Sequence, residues 1–116
     1  MIWTMEIPGW HPCALNKLVH SHHHRASSFK AKDREIVARA CLVYAIPAAE
    51  ARRSVEIHLV FAKGARACDP DAYWKSLLDA LVHARALKND SMDWVVCRPP
   101  AYSRGERQTS FITLQE

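Results

Sequence analysis

The chain has 116 residues, of which 49% are hydrophobic and 24% charged, a composition typical of one compact globular domain. Its formal net charge is +4, and no apolar run approaches the ~20 residues of a membrane-spanning helix. The N-terminal residues lack the basic and apolar regions of a signal peptide. We therefore expect a single soluble domain over residues 1–116, located in the cytoplasm and with no membrane partner.

The first half of the chain predicts a strand, a long loop and a helix. Residues 2–8 alternate between apolar and polar side chains, as in a half-buried strand. Residues 10–27 show no sustained period and predict a polar, basic loop. Ser28 is a predicted cap for a helix over residues 29–44, in which apolar side chains recur at helical spacing.

The second half predicts another helix and three more strands. Residues 54–61 alternate clearly and predict a strand, and residues 69–86 carry an apolar stripe typical of a helix. Residues 94–98 and 109–114 predict two further strands, joined by a long, basic hairpin connection. The order β-α-β-α-β-β indicates an α+β fold, with a small mixed β-sheet and helices mainly on one face.

An acidic segment interrupts this basic chain. Residues 69–93 hold five acidic and three basic residues, whereas the rest of the chain holds 13 basic and seven acidic ones. Such a distribution suits a polyanion whose phosphates meet a metal ion held by the acids. A basic protein with one scattered acidic segment explains the same counts equally well.

Two aspartates lie at the predicted start of the second helix. Asp69 precedes Pro70 and should be extended, whereas Asp71 lies in the first turn, so both carboxylates can converge at the helix N-terminus. Lys75 follows one turn later, and Asp90 precedes a strand that could bring it back towards the helix start. Three carboxylates form a hard-oxygen site suited to Mg²⁺ or Mn²⁺. Helix capping alone is the competing interpretation of the first two.

The segment DPDAYWKSLLDALVHARALKNDSMDWV closely resembles the core motif of the RusA-like Holliday junction resolvases, D-x-D-N-x-x-K-x-x-x-D-A-L followed by an acidic pair before a strand. The opening IPGWHPCALNKLVHSHHHRASSFKAK is similar to that family's N-terminal P-x-x-x-N and basic segment. The resemblance is specific around residues 69–95 and weak after residue 98. It implies a small homodimeric crossover junction endodeoxyribonuclease that cuts four-way DNA junctions with Mg²⁺. The site residues that it implies are the metal ligands Asp69, Asp71 and Asp90 and the assisting Lys75.

Two positions depart from the family pattern. Ala72 stands where the family usually has an asparagine, and Asn89 replaces the first member of the acidic pair. The three implied metal ligands remain, so we expect catalysis, with rate and junction selectivity left open. A catalytically weak nucleic-acid-binding protein of the same fold is the alternative function. A structural domain whose acids only cap a helix is the third.

Two groups of basic residues are candidate contacts to branched DNA. The first comprises Arg25, Lys30 and Lys32. The second, predicted on loops that flank the acidic site, comprises Lys63, Arg66, Arg98, Arg104 and Arg107. Each base alone is equally explained as a solubilising surface group. The cluster His20, His22, His23 and His24 predicts a solvated basic loop rather than a transition-metal site.

Other residues near the candidate site have simpler interpretations. Trp10, Trp74 and Trp94 are predicted packing residues rather than base-stacking platforms. Lys75 and Asp79 equally fit an ion pair one helical turn apart. A four-way junction has two-fold symmetry and needs two nicks, which favours a homodimer. The small helix face that could pack against the second copy, or could equally face solvent, comprises Ala72, Ser76, Ala80 and Ala84.

Overall fold

The computed structural model describes residues 1–12, 23–65 and 73–116, and describes residues 23–27 by their backbone alone. Its elements, in chain order, are β1 (Ile2–Pro8), α1 (His23–Val43), β2 (Arg53–Ala62), α2 (Trp74–His83), β3 (Val95–Cys97), β4 (Ala101–Gly105) and β5 (Thr109–Gln115). The predicted α+β class with a mixed sheet is confirmed. Strand β4 is an addition, because it lies within the segment predicted as a connection.

Strand β2 is the centre of the sheet. It pairs antiparallel with β5, which pairs antiparallel with the edge strand β1. On its other side β2 pairs parallel with β3 and then, further along, with β4. Strands β3 and β5 therefore lie on opposite sides of β2, and the predicted hairpin between them is wrong. Residues 106–108 instead carry the chain across the C-terminal end of β2, from β4 to β5.

Two prolines explain why β3 and β4 are separate strands. Pro99 and Pro100 have no backbone N–H and cannot donate to the ladder along β2. Arg98 makes the last contact before them, its backbone N–H donating to Val55 O over 2.9 Å. Pairing resumes at Ala101, opposite His58.

The hydrophobic core lies between the two helices and one face of the sheet. Every second residue of β2, from Val55 to Phe61, is at most 5% exposed. Leu77 and Leu81 of α2 and Val37 of α1 are fully buried against this face. Burying such a side chain stabilises the fold by about 1.5–3 kcal/mol. The apolar stripes predicted for the two helices therefore face the core.

None of the described helices is long and apolar enough to cross a membrane.

Helix α1 is longer than predicted. It begins at His23, six residues before Phe29, and the predicted cap Ser28 lies within it. Residues 23–28 contain neither proline nor glycine, so nothing interrupts the helical backbone. For α2, the predicted start at Asp69 lies outside the described residues.

Candidate functional site

The C-terminal end of β2 and the first turn of α2 lie together. The ring centroids of Phe61 in β2 and Tyr73, the residue before α2, are 6.4 Å apart, and both side chains are buried. Lys75 follows Tyr73 by two residues and is exposed. The predicted catalytic lysine is therefore displayed to solvent at the end of β2.

A buried carboxylate fixes this turn of α2. Asp33 of α1 is 5% exposed. It accepts hydrogen bonds from Trp10 Nε1 over 3.0 Å and from Ser76 Oγ over 2.5 Å. Ser76 is the neighbour of Lys75, so this network ties the backbone of the lysine to α1 and to the segment after β1. Asp33 was not predicted from the sequence, although an acid four residues after Phe29, on the apolar face of a predicted helix, is a signal of such a buried carboxylate.

His11 lies beside the same aromatic side chains. Its Nε2 is 2.8 Å from Val60 O and 3.2 Å from Thr109 O, and its ring meets that of Phe61 edge-on at 4.7 Å. Carbonyl oxygens only accept, so Nε2 carries the proton. Burial lowers the pKa of His11, and the two carbonyl contacts oppose this shift only in part. Burial therefore favours the neutral imidazole, and the two carbonyl oxygens fix its orientation.

Exposed basic side chains surround the end of β2. Lys63 lies in the turn that follows the strand, and Arg107 lies in the segment that crosses its end. Arg104 pairs with Phe61, and its guanidinium lies 5.4 Å from the Phe61 ring centroid. We call Lys63, Lys75, Arg104 and Arg107 the basic end. Arg104 was predicted on a loop, but it lies in strand β4, because Ala101–Gly105 pair with β2.

Carbonyl oxygens fix the guanidinium of Arg104. Its Nη1 donates to Ala62 O over 3.4 Å and also to Ala65 O. The side chain is exposed as a whole, yet its position relative to the end of β2 is defined. Such a cation can receive a phosphate without first being ordered.

The other predicted DNA contacts lie elsewhere. Arg98 is exposed beside Val55, six residues before Phe61, which is about 20 Å along a strand. On α1, Lys30 is half-buried and Lys32 is exposed. The side chain of Arg25, the whole of Arg66 and the side chains of the histidine cluster lie outside the described residues.

Asp90 lies near the opposite, N-terminal end of β2. It is exposed in the connection from α2 to β3. That connection is attached to Arg53, the first residue of β2, whose N–H donates to Trp94 O over 3.1 Å and whose Nη1 donates to Ala86 O over 2.9 Å. β2 has 10 residues and spans ~30 Å. Lys75 lies towards its C-terminal end and Asp90 towards its N-terminal end.

The predicted three-carboxylate metal site is described only at Asp90. Asp69 and Asp71 lie outside the described residues, so their convergence stays a prediction. Within the described part of the chain, no three His, Cys, Asp or Glu side chains are grouped so as to hold a metal ion. The exposed carboxylate of Asp90 is an oxygen donor of the kind that Mg²⁺ prefers, and it is available for a ligand from outside.

Asp79 is engaged elsewhere. Both of its carboxylate oxygens accept hydrogen bonds from Arg34 of α1, at 2.8 and 3.1 Å. Arg34 holds the pKa of Asp79 below its ordinary value, and the same contact raises the pKa of Arg34. The alternative ion pair between Asp79 and Lys75 is therefore wrong.

The small helix face is not a free surface. Ser76 and Ala80 are at most 1% exposed, because they pack towards α1 and the core. These two residues therefore neither face solvent nor offer a surface to a second copy, and Ala72 lies outside the described residues.

No protein-family model matches the chain, and no curated protein matches it either. The candidate site therefore rests on the chemistry of its own residues.

Proposed function

We propose that the chain is a metal-dependent endonuclease that hydrolyses phosphodiester bonds in four-way DNA junctions. The observation that carries this proposal is the spacing D-x-D-x-x-x-K over residues 69–75, followed by Asp90 before a strand. The proposed ligands for Mg²⁺ or Mn²⁺ are Asp69, Asp71 and Asp90. When bound, the metal ion supplies Lewis-acid stabilisation of phosphate oxygens and lowers the pKa of a water molecule.

Lys75 has a separate role in this proposal. Its exposed ammonium group attracts the scissile phosphate and stabilises the negative charge that develops there. The buried Asp33 holds the neighbouring Ser76, so the backbone that carries the lysine is in place before DNA binds. Lys63, Arg104 and Arg107 add phosphate contacts around it, which orient the DNA backbone.

The proposed active unit is a homodimer, and the separation of Lys75 and Asp90 supports it. Lys75 and Asp90 lie towards opposite ends of β2 within one chain, and a centre that takes one residue from each subunit would unite them. A two-fold axis that brings the Lys75 end of one subunit to the Asp90 end of its partner also brings the partner's Lys75 end to the Asp90 end of the first subunit. Two equivalent centres result, which suits two nicks on a two-fold symmetric junction.

Cleavage of a synthetic junction tests this function. The purified chain should nick a labelled four-way junction in Mg²⁺ and not in EDTA, and should leave the matching linear duplex intact. Asp71→Asn should abolish nicking while junction binding persists, because the amide keeps the size of the side chain and removes a ligand charge. Asp93→Asn is the matched control, since Asp93 is an exposed acid outside the proposed ligand set.

The outcomes separate the candidate functions. Equal nicking by the wild type and Asp71→Asn would mean that the acids only cap a helix. Junction binding without nicking by the wild type would favour the alternative, a nucleic-acid-binding protein of the same fold.

A further inference from the structure

An exposed aromatic ring lies beside the basic end. Tyr102 of β4 pairs with Leu59, and the residue is 66% exposed. Its ring centroid is 6.1 Å from that of Phe61, and the two ring planes meet at 77°. Phe61 is itself buried, so it supports one side of the tyrosine while most of the ring stays in solvent.

A cation, the guanidinium of Arg104, lies beside this ring on the same face of the sheet. Tyr102 and Arg104 are two residues apart in β4, so their side chains leave the sheet on the same face. The guanidinium of Arg104 lies over the same Phe61 ring, and carbonyl oxygens hold it there. Phe61 also contacts Tyr73, which precedes the turn that carries Lys75. One buried phenylalanine thus connects the exposed ring, the fixed cation and the first turn of α2.

We propose that Tyr102 is a stacking platform for an unpaired nucleobase, an inference that rests on the proposed function and extends it to how the branch point is recognised. An aromatic ring beside Lys and Arg side chains is the arrangement that binds single-stranded nucleic acid, because the cations contact phosphates while a base stacks on the ring. Bases in a linear duplex are stacked on one another and offer no free face. A base at an opened branch point, or in a single strand, does.

The position of Tyr102 relative to Lys75 determines what a stacked base would do for cleavage. A base held at Tyr102 places its flanking phosphates at the basic end, next to the proposed catalytic lysine. The ring then selects where along a branched DNA the cut falls, whereas the cations alone bind any phosphate backbone. Tyr102 is therefore a substrate-positioning residue in this proposal.

Fluorescence of a reporter base tests the proposal independently of cleavage. A 2-aminopurine placed in a short single strand, or at the branch point of a four-way junction, is titrated with the full chain in EDTA. Wild-type protein should quench the reporter. Tyr102→Leu should lower affinity for both DNAs by about 5-fold to 100-fold and lose the quenching, since one stacked base contributes that much. Affinity for a linear duplex should change less than twofold.

Two further variants separate stacking from other roles of the tyrosine. Tyr102→Phe keeps the ring and should bind and quench as the wild type does. Tyr44→Leu is the matched control, because Tyr44 is a 40% exposed tyrosine whose hydroxyl donates to Glu6 O on the opposite edge strand β1. It should bind as the wild type does. Thermal unfolding of each variant verifies that the fold is retained.

Failure of this inference is distinct from failure of the proposed function. If the wild type binds and nicks the junction but Tyr102→Leu binds equally well, the stacking role is overturned and the nuclease stands. Equal losses for Tyr102→Phe and Tyr102→Leu would also overturn stacking, because the hydroxyl would then be the contact. If the wild type binds none of the branched or single-stranded DNAs, both proposals are overturned.

Discussion

At the scale of the residue, His11 couples the stability of the fold to pH. Its Nε2–H is shared by Val60 O and Thr109 O, which belong to the adjacent strands β2 and β5. Half-burial among aromatic rings disfavours the charged imidazolium, so the pKa of His11 in the folded chain lies below its ordinary value of 6.5.

The free energy of unfolding should therefore fall as the pH is lowered below about 6.5. Just below that pH, the imidazole of His11 binds a proton in the unfolded chain but not in the folded chain. The contribution of His11 to the free energy of unfolding is therefore fully present above about pH 6.5 and is lost as the pH falls through the pKa of the folded state. His11→Gln keeps an N–H donor and removes the titration. Urea unfolding at pH 7.5 and 5.5 should show a smaller difference for this variant than for the wild type, and equal differences would contradict the assignment.

At the scale of the element, the orientation of α2 depends on Asp33. This carboxylate from α1 joins Trp10, after β1, to Ser76 in the first turn of α2. All three side chains are buried, so water does not compete for their hydrogen bonds.

Asp33→Ala should lower the free energy of unfolding by about 1–3 kcal/mol, because it leaves the Trp10 N–H and the Ser76 hydroxyl buried without this acceptor. Glu35→Ala is the matched control on the same helix, and it should change stability by less than about 0.5 kcal/mol, since the pair that Glu35 makes with Arg39 is exposed. Urea denaturation of both variants measures the difference. Equal effects would show that the buried network does not stabilise α2.

Elements with a strong apolar period were predictable, and those defined by tertiary pairing were not. The alternation from Val55 to Phe61 predicted β2 to within one residue at each end. Strand β4 has no apolar alternation and follows two prolines, so only its pairing with β2 reveals it. The first turn of α1 could not be predicted from the sequence either, because its histidines and serines have no apolar period.

At the scale of the whole molecule, the basic end should dominate binding to DNA. The affinity for a four-way junction should fall steeply between 50 mM and 200 mM salt, since each neutralised phosphate contributes a slope of about −0.9 in log affinity against log salt. Replacing Arg104 and Arg107 by Gln should reduce that slope by about 2. Arg39→Gln is the control, because Arg39 is an exposed arginine on α1 that pairs with Glu35 and belongs to neither group of proposed DNA contacts. A slope that stays unchanged in the double variant would contradict the assignment of the basic end.

The candidate site was only partly predictable, because the relative positions of its residues depend on how the strands pair. Lys63 and Arg107 lie outside the strands, as predicted, but Asp69 and Asp71 of the acidic site that they were predicted to flank lie outside the described residues. The position of Asp90 could not be read from the sequence, because it depends on the pairing of Arg53 with Val95. We expected a neighbouring strand to bring Asp90 back towards the start of the helix, but β3 begins beside the N-terminal end of β2.

Mixing two impaired variants tests the central claim most directly. When each is assayed alone on a four-way junction in Mg²⁺, Asp90→Asn should abolish nicking and Lys75→Ala should lower its rate. In a mixed dimer one of the two shared centres contains both mutations and the other contains neither. Coexpressed subunits carrying different tags and purified through both should therefore nick one strand per junction. Wild-type nicking together with an inactive mixed dimer would contradict the shared centre, and a wild type that never nicks the junction would contradict the nuclease itself.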